Sequence, residues 1–235
     1  MCRCFAADLD WDTIAEQFDV EQDQTDSATL PQPSYNFQPK QTIGIVAQGE
    51  NGRRHLAGAY WSLLPAWSTT KDLSYPTYNA RIESACVKPT FADSAKSMRA
   101  IIPASGYYEF HGRRPYYFHA PNDATLLLAG LFSWWRAPQS QGLTPWLLTA
   151  TILTCKAVDG PATVHDRMPL LVPHDMAGVW LNRSVDGVAL MTNIQLDGTE
   201  LSRKLSFHEV PAFGLEDGGS TLTRPLLQVP TPSLF

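Results

Sequence analysis

Cysteine is scarce in this sequence, long apolar runs are absent, and positive charge does not dominate. The four cysteines, Cys2, Cys4, Cys86 and Cys155, are too few and too irregularly spaced for a disulfide scaffold or a paired zinc motif. Acidic residues follow the N-terminus before any apolar run develops, so nothing resembles a signal peptide or a membrane span. The sequence therefore predicts a protein with free thiols that is not secreted, binds no membrane, and holds no metal and no cofactor.

The net charge of −5 argues against a polyanionic partner, but the charge is unevenly distributed. Residues 1–50 contain two basic and nine acidic side chains, a balance of −7. Residues 51–114 contain nine basic and four acidic side chains, a balance of +5. This concentration of positive charge leaves an anionic partner open, beside the plainer interpretation of an unevenly charged surface.

A chain of 235 residues with 44% hydrophobic content can bury one substantial core, and we expect an α+β fold with a mainly β single domain. Apolar spacing predicts a helix over 11–18, capped by Asp10 or Asp12, and another over 174–181. The acidic, Gln-rich stretch 19–33 predicts a loop. Apolar runs bounded by Gly, Pro and Asn predict strands at 42–47, 55–63, 99–103, 115–119, 125–132, 146–154 and 169–172.

The last part of the chain differs in composition from the rest. From about Gly214 it is rich in Gly, Pro, Ser and Thr. We therefore expect a domain over 1–213, followed by a tail over 214–235 that is partly disordered or packed on the domain.

Cys2 offers two nucleophiles once Met1 is removed, because one residue then carries a free thiol and a free α-amine. An α-amine has a pKa of about 7.7–8.0, against about 10.4 for lysine, so near neutral pH it holds far more of the uncharged, attacking form. A thiol and an amine on adjacent carbons can trap an aldehyde in a five-membered ring. The plainer interpretation is an ordinary small N-terminal residue.

Four short segments together resemble those of the SOS-response-associated peptidase (SRAP) family. Its members carry Met-Cys, Asn-Ala-Arg-x-Glu, Pro-Ala-x-Gly-x-Tyr-Glu-Trp and His-Asp-Arg-Met-Pro in that order. The resemblance covers roughly residues 1–182. The matching segments are Met1-Cys2, Tyr78-Asn79-Ala80-Arg81-Ile82-Glu83, Ile102-Pro103-Ala104-Ser105-Gly106-Tyr107-Tyr108-Glu109-Phe110 and Val164-His165-Asp166-Arg167-Met168-Pro169.

The resemblance implies a barrel-like mixed sheet with a few flanking helices, and a covalent sensor of abasic sites in single-stranded DNA. Family members form a stable thiazolidine crosslink between the processed N-terminal cysteine and the sugar aldehyde, and the peptidase activity in the name refers to removal of the N-terminal methionine. The expected partner is single-stranded DNA containing abasic sites. We expect a monomer in the cytoplasm or at the nucleoid, or in the nucleus of a eukaryote. The residues at the family's reactive positions are Cys2, Asn79, Glu109 and His165.

The side-chain chemistry suits these positions. His165 has a pKa near ambient pH and could move the proton that opens the closed sugar. Glu109 could take a proton from the α-amine or stabilise the iminium ion, and Asn79 could hold a sugar hydroxyl or Cys2 without a change of charge.

Five residues are candidates for DNA contact. Arg81, Trp61 and Trp67 match family positions associated with it, and Arg3 and Arg167 are further candidate phosphate ligands. The alternatives are that the tryptophans lie in the core and that the arginines pair internally, with Glu83 as a brace.

This chain departs from the family pattern in three places. Arg3 and Cys4 replace the usual Gly-Arg after Cys2, so the arginine stands one position earlier. Phe110 replaces the usual tryptophan, which removes an indole donor. Beyond Val210 the usual Val-Asn gives way to Pro211-Ala212-Phe213.

Two other functional classes remain open. An N-terminal-cysteine hydrolase or amidotransferase would use the same thiol, but its Asn-Gly-Asp and Arg-Gly-type companion segments are missing. A non-covalent single-stranded-DNA-binding module would hold DNA with aromatic and basic residues alone.

Overall fold

The computed structural model describes residues 2–137 and 146–226. Within these ranges the strands are β1 (Cys4–Ala7), β2 (Ser34–Phe37), β3 (Thr42–Gln48), β4 (Arg54–Trp61), β5 (Asn79–Arg81), β6 (Arg99–Ala104), β7 (Gly106–His111), β8 (Arg114–His119), β9 (Leu126–Trp135), β10 (Leu147–Lys156), β11 (Arg167–Pro169) and β12 (Ser206–Glu209). The helices are α1 (Trp11–Gln17), α2 (Ile82–Ala85), α3 (Ala92–Ser97), α4 (Asp159–Val164), α5 (Ala177–Leu181) and α6 (Gly187–Arg203). Short 3-10 turns lie at Gln22–Gln24, His174–Met176 and Ser220–Thr223.

The centre of the molecule is a closed β barrel. Strands β10, β4, β3, β6 and β9 pair in that order, and β9 pairs back with β10. The pairs are antiparallel except for β10 with β4, which is parallel. Closure leaves none of these strands with an unpaired edge in the ring. The prediction of a mainly β, barrel-like mixed sheet is confirmed.

Strand β10 extends beyond the ring and collects two further strands. Its second half pairs in parallel with β5 and antiparallel with β11, so that Thr154 lies opposite both Arg81 and Pro169. β5 and β11, which are about 90 residues apart in sequence, therefore meet on one strand. This junction is where two of the four motif segments come together.

A second sheet has the order β12, β8, β7, β1, β2, and its pairs are all antiparallel. β6 of the barrel leads through Ser105 directly into β7 of this sheet. The N-terminal strand β1 pairs with β7, with Cys4 opposite Tyr108 and Phe5 opposite Tyr107. The start of the chain is thereby fixed beside the segment that carries Glu109.

The helices cover one side of the barrel, and close packing sets their positions. In α6, a Cβ atom at Gly198 would come within 2.1 Å of the backbone oxygen of Leu171, so glycine permits the contact. Buried Arg99 ties neighbouring segments together by donating from Nε to the carbonyl of Trp180 at 2.7 Å and from NH1 to that of Lys96 at 2.7 Å. No helix within residues 2–137 and 146–226 is long and apolar enough to cross a bilayer.

Most of the predicted elements are confirmed, with shifts of a few residues at their ends. The Asp10 side chain accepts hydrogen bonds from the amides of Asp12 and Thr13, as predicted for the cap of α1. The sequence patterns missed the strands β1, β2, β5, β7 and β12, the short helices α2, α3 and α4, and the 17-residue helix α6. Of the predicted tail, residues 214–226 pack on the second sheet, and residues 227–235 lie outside the described part. The domain boundary after residue 213 stays a prediction.

Candidate functional site

Four elements position the residues that the motifs single out. The segment before β1 carries Cys2, β5 carries Asn79, β7 carries Glu109, and His165 follows α4 directly. The pairing of β10 with both β5 and β11 brings Asn79 and His165 together. The pairing of β1 with β7 brings Cys2 and Glu109 together.

Cys2 is buried and held through its backbone. Asn79 Nδ2 donates a hydrogen bond to the carbonyl oxygen of Cys2 at 2.6 Å, and Cys2 Sγ donates to the carbonyl of Cys4 at 3.6 Å. Burial raises the pKa of the Cys2 thiol well above its ordinary value, and the negative charge of Glu109 raises it further. In this state the thiol is protonated, so it requires a base before it can attack.

Glu109 is a buried carboxyl, 3% exposed, beside the N-terminal strand. Burial raises its pKa to about 7, and nearby positive charge, including that of Arg3, opposes the shift. Near neutral pH the carboxyl is therefore populated both with and without its proton, which suits a group that accepts and returns protons.

His165 is partly exposed, and its Nδ1 atom has two neighbours. The backbone N–H of Arg167 lies 3.0 Å away, and Asp166 Oδ1 lies at 2.9 Å. Burial lowers the pKa of His165, and Asp166 opposes that shift. In the neutral ring Nδ1 accepts from the Arg167 amide, so the proton resides on Nε2; in the charged ring Nδ1 can donate to Asp166. Nδ1 of His165 therefore has a hydrogen-bond partner in both the neutral and the charged form of the ring.

A cleft of about 440 Å³ opens beside these groups, and its lining includes Arg3, Tyr78, Arg81, Glu109, His165 and Asp166. Arg3 and Arg81 are exposed. Among the described residues, neither guanidinium forms a salt bridge with a carboxylate. The cleft therefore combines two exposed cations with a buried carboxyl and an imidazole, an arrangement that suits an anionic ligand.

Two of the residues predicted to contact DNA are buried and bonded inside the protein. Arg167 is nearly buried and donates from NH1 and NH2 to the Glu83 carboxylate at 2.6 and 2.9 Å, and from NH2 to the carbonyl of Thr154 at 2.6 Å. Trp61 is fully buried, and its Nε1 donates to the carbonyl of Tyr78 at 2.8 Å. Both side chains are engaged inside the protein, which favours the alternatives of an internal ion pair and a core tryptophan, and their contact with DNA stays a prediction.

Trp67, in contrast to Trp61, is exposed. The residue is 55% accessible on the segment between β4 and β5. Its contact with DNA stays a prediction, as do those of Arg3 and Arg81.

The structure adds one residue, Tyr107, that the motifs did not identify as part of the site. Tyr107 Oη is buried and, like Oδ1 of Asn79, has no hydrogen-bond partner among the described residues. Burial raises the pKa of the Tyr107 hydroxyl, and the charges of Glu109 and Cys2 add to the shift, which places that hydroxyl near the reactive set. The alternation of side chains along β7, which puts positions 107 and 109 on one face, is the signal that would have identified it.

Within residues 2–137 and 146–226, no group of three or more His, Cys, Asp or Glu side chains could hold a metal ion.

The fold and the site define a class of mixed-barrel proteins in which the segment before β1, with Cys2, lies beside a buried carboxyl and a basic cleft. Comparison identifies the family within that class. The chain belongs to the SOS response associated peptidase (SRAP) family, which it matches over residues 1–212.

Known relatives and solved structures agree with this assignment. The chain is 35% identical over 188 residues to the abasic site processing protein YoaM of Bacillus subtilis, covering 77% of this chain and 79% of YoaM. It is 33% identical over 192 residues to the abasic site processing protein YoqW of Bacillus phage SPbeta, covering 77% of this chain and 80% of YoqW. A crystal structure of a Bordetella bronchiseptica protein superposes with a TM-score of 0.71 at 25% identity, covering 89% of this chain and all of that one.

Proposed function

We propose that this protein is a covalent sensor of abasic sites in single-stranded DNA, and that it forms a thiazolidine crosslink through Cys2 after removal of Met1. One observation carries the proposal: Asn79 holds the backbone of Cys2 close enough to buried Glu109 for its charge to affect the thiol, and Glu109 itself lines a cleft with two exposed arginines. The names of the relatives, which are abasic site processing proteins, support the choice of substrate.

The first chemical step requires an open-chain sugar. An abasic deoxyribose is mainly a closed hemiacetal, and a proton must move before its C1′ aldehyde is exposed. His165 lines the cleft, and a proton on Nε2 of its neutral ring makes it suitable for that transfer.

The α-amine of Cys2 then adds to the aldehyde carbon and water leaves, which gives an imine. The sulfur attacks the imine carbon, its proton passes to the nitrogen, and the ring closes with no oxidant or reductant. Because the buried thiol is protonated, a base assists this step, and Glu109 with a pKa of about 7 is the candidate. The unpartnered Asn79 Oδ1 can accept a hydrogen bond from the α-amine or a sugar hydroxyl.

The proposal includes exposure of the α-amine by loss of Met1. The same cysteine could cleave the preceding peptide bond, which would give the chain its own peptidase activity, or a separate aminopeptidase could remove the methionine. A protein with one uncleavable residue before Cys2 should fail to crosslink in either case, because an acylated nitrogen cannot form the imine.

Intact mass spectrometry tests the proposal directly. Processed protein mixed with a single-stranded oligonucleotide that contains one abasic site should gain the mass of the oligonucleotide minus one water. Cys2→Ala should form no such adduct, and Cys2→Ser should form only an imine that borohydride traps. Cys86→Ala is the matched control, because this half-buried thiol lies outside the site, and it should crosslink like the wild type.

A full-strength adduct in Cys2→Ala that forms without borohydride would eliminate this mechanism. Binding of the strand with no adduct on a denaturing gel would instead favour the non-covalent module. Glutaminase activity would favour the amidotransferase class.

A further inference from the structure

A second cavity adjoins the cleft on the far side of Arg3. It measures about 450 Å³, and its lining includes Arg3, Gln38, Phe110, Phe213 and Leu215. Arg3 and Phe110 also line the cleft that holds Glu109 and His165, so the two cavities share a wall. A ligand anchored at Cys2 could therefore extend from one cavity into the other. We name the second one the Phe213 cavity.

The Phe213 cavity has an aromatic surface. The Phe213 ring packs edge-on against Tyr108, with centroids 4.9 Å apart, and lies 6.0 Å from the Phe110 ring at an angle of 51°. The two phenylalanine rings are tilted, so they do not form a parallel slot for a flat group to enter between them. One flat group can instead stack on a single ring.

The wall that carries Phe213 is fixed in place by one buried asparagine. Asn36 Nδ2 donates to the carbonyls of Gly214 at 3.0 Å and Asp217 at 2.8 Å. The Gly214 amide donates to Asp217 Oδ2 at 2.6 Å, which closes the turn. The aromatic surface is therefore largely formed before a ligand arrives, which lowers the entropy lost on binding.

We propose that the Phe213 cavity binds the nucleobase of the nucleotide next to the abasic residue, and that Arg3 contacts the phosphate between the two nucleotides. This inference rests on the proposed function, because it takes the reacting sugar to lie in the neighbouring cleft. A base supplies a flat apolar face for the ring, and the linking phosphate supplies the negative charge that exposed Arg3 can bind. Stacking of this kind tolerates all four bases, so the cavity would grip DNA without reading its sequence.

Three positions at which this chain departs from the family pattern lie together at this cavity. Arg3 stands one position earlier than the usual arginine, Phe110 replaces a tryptophan, and Phe213 lies where the pattern has Val-Asn. All three residues line the Phe213 cavity.

Equilibrium binding to unreactive oligonucleotides tests the subsite separately from crosslinking. Each strand carries tetrahydrofuran, an abasic analogue without an aldehyde, and in two further strands a second tetrahydrofuran replaces the nucleotide on the 5′ or the 3′ side. Wild-type protein should bind one of these two strands roughly 5- to 140-fold more weakly than the strand with both neighbouring bases. Phe213→Leu should bind all three equally, because leucine keeps an apolar contact with Tyr108 but offers no flat face.

Phe207→Leu is the matched control, since this ring is also partly exposed, on β12, and lines neither cavity. It should discriminate among the strands like the wild type, and so should Phe213→Trp, which keeps an aromatic face. Retention of full discrimination in Phe213→Leu, or its absence from the wild type, overturns the inference. A wild type that discriminates but forms no adduct with reactive abasic DNA leaves the subsite standing and removes the proposed crosslink.

Discussion

At the scale of single residues, burial moves the pKa of Glu109 close to neutral pH, where the carboxyl can both accept and release a proton. A carboxyl ordinarily loses its proton near pH 4.5, whereas burial holds the pKa of Glu109 at about 7 in the folded protein. The folded state therefore binds this proton more tightly than the unfolded chain does. The stability associated with Glu109 is fully present below about pH 4.5 and is lost as pH rises through about 7.

Glu109→Gln should remove this pH dependence. Glutamine keeps the shape of the side chain but cannot ionise. As pH rises from 4.5 to 8, the unfolding free energy of the wild type should therefore fall by about 3 kcal/mol relative to that of the variant. Denaturant unfolding at a series of pH values measures the difference. Glu216→Gln, at an exposed position, should follow the wild type at every pH. A constant gap between Glu109→Gln and the wild type would show that Glu109 has an ordinary pKa.

The motifs identified candidate residues at this scale but not their surroundings. Cys2 and Glu109 could be selected from sequence because their chemistry and family positions agree. That Arg167 binds Glu83 depends on the pairing of β10 with both β5 and β11, and no local pattern reveals such a junction. From the sequence, Trp61 could equally be a DNA contact or a core residue, and only the closed barrel shows that its side chain is buried.

At the scale of elements, Asn36 in β2 connects three distant parts of the chain. Its Oδ1 accepts hydrogen bonds from Cys4 Sγ, at 2.9 Å, and from Gln38 Nε2. Its Nδ2 holds the turn at residues 214–217. The N-terminal strand and the segment that follows β12 are therefore fastened to the same side chain.

Asn36→Ala should loosen β1 and the turn at residues 214–217 together. Loss of several buried hydrogen bonds should lower the unfolding free energy by about 2–4 kcal/mol, and amide exchange should accelerate both in β1 and at residues 214–217. Asn122→Ala, which removes an exposed asparagine from the loop before β9, should leave both regions unchanged. Faster exchange in one region without the other would show that Asn36 does not couple them.

Sequence patterns predicted the long barrel strands well because their apolar runs are bounded by turn residues. They missed α6, whose buried positions include Gly187, Gly198 and Ser202 rather than a continuous apolar stripe. β1 and β2 each have four residues, too few for a recognisable alternation, and they are defined by partners far away in sequence. The packing of residues 214–226 depends on Asn36, about 180 residues earlier, and composition alone gives no sign of it.

At the scale of the whole molecule, charge is arranged so that an acidic protein can still present a basic cleft. The net charge is −5, yet Arg3 and Arg81 stand exposed at the cleft, while Arg167 is neutralised internally by Glu83. Removing Arg81 and removing Arg167 should therefore have different effects on DNA binding and on stability, although both line the same cleft.

Arg81→Ala should weaken binding to single-stranded DNA and reduce the slope of log affinity against log salt by about 0.7, the contribution of one neutralised phosphate. Titrations over a range of salt concentrations measure the slope. Arg167→Ala is the contrasting variant: it should leave the slope unchanged and lower the unfolding free energy by about 1–3 kcal/mol, because water can solvate the half-exposed Glu83 left behind. An unchanged slope in Arg81→Ala would remove it as a phosphate ligand.

Because β10 closes the barrel, the barrel cannot be completed until β10 has left the ribosome. Cys2 is made before β10, the strand that completes the ring about 145 residues later, and the segment with His165 is made after β10. Synthesis at about 5–20 residues per second leaves several seconds in which the N-terminus is accessible and the rest of its site does not yet exist. A separate aminopeptidase would have to act in that interval, before β1 docks against β7 and buries Cys2. On the proposed function, Cys2 would therefore lose Met1 before the residues that surround it in the site have folded.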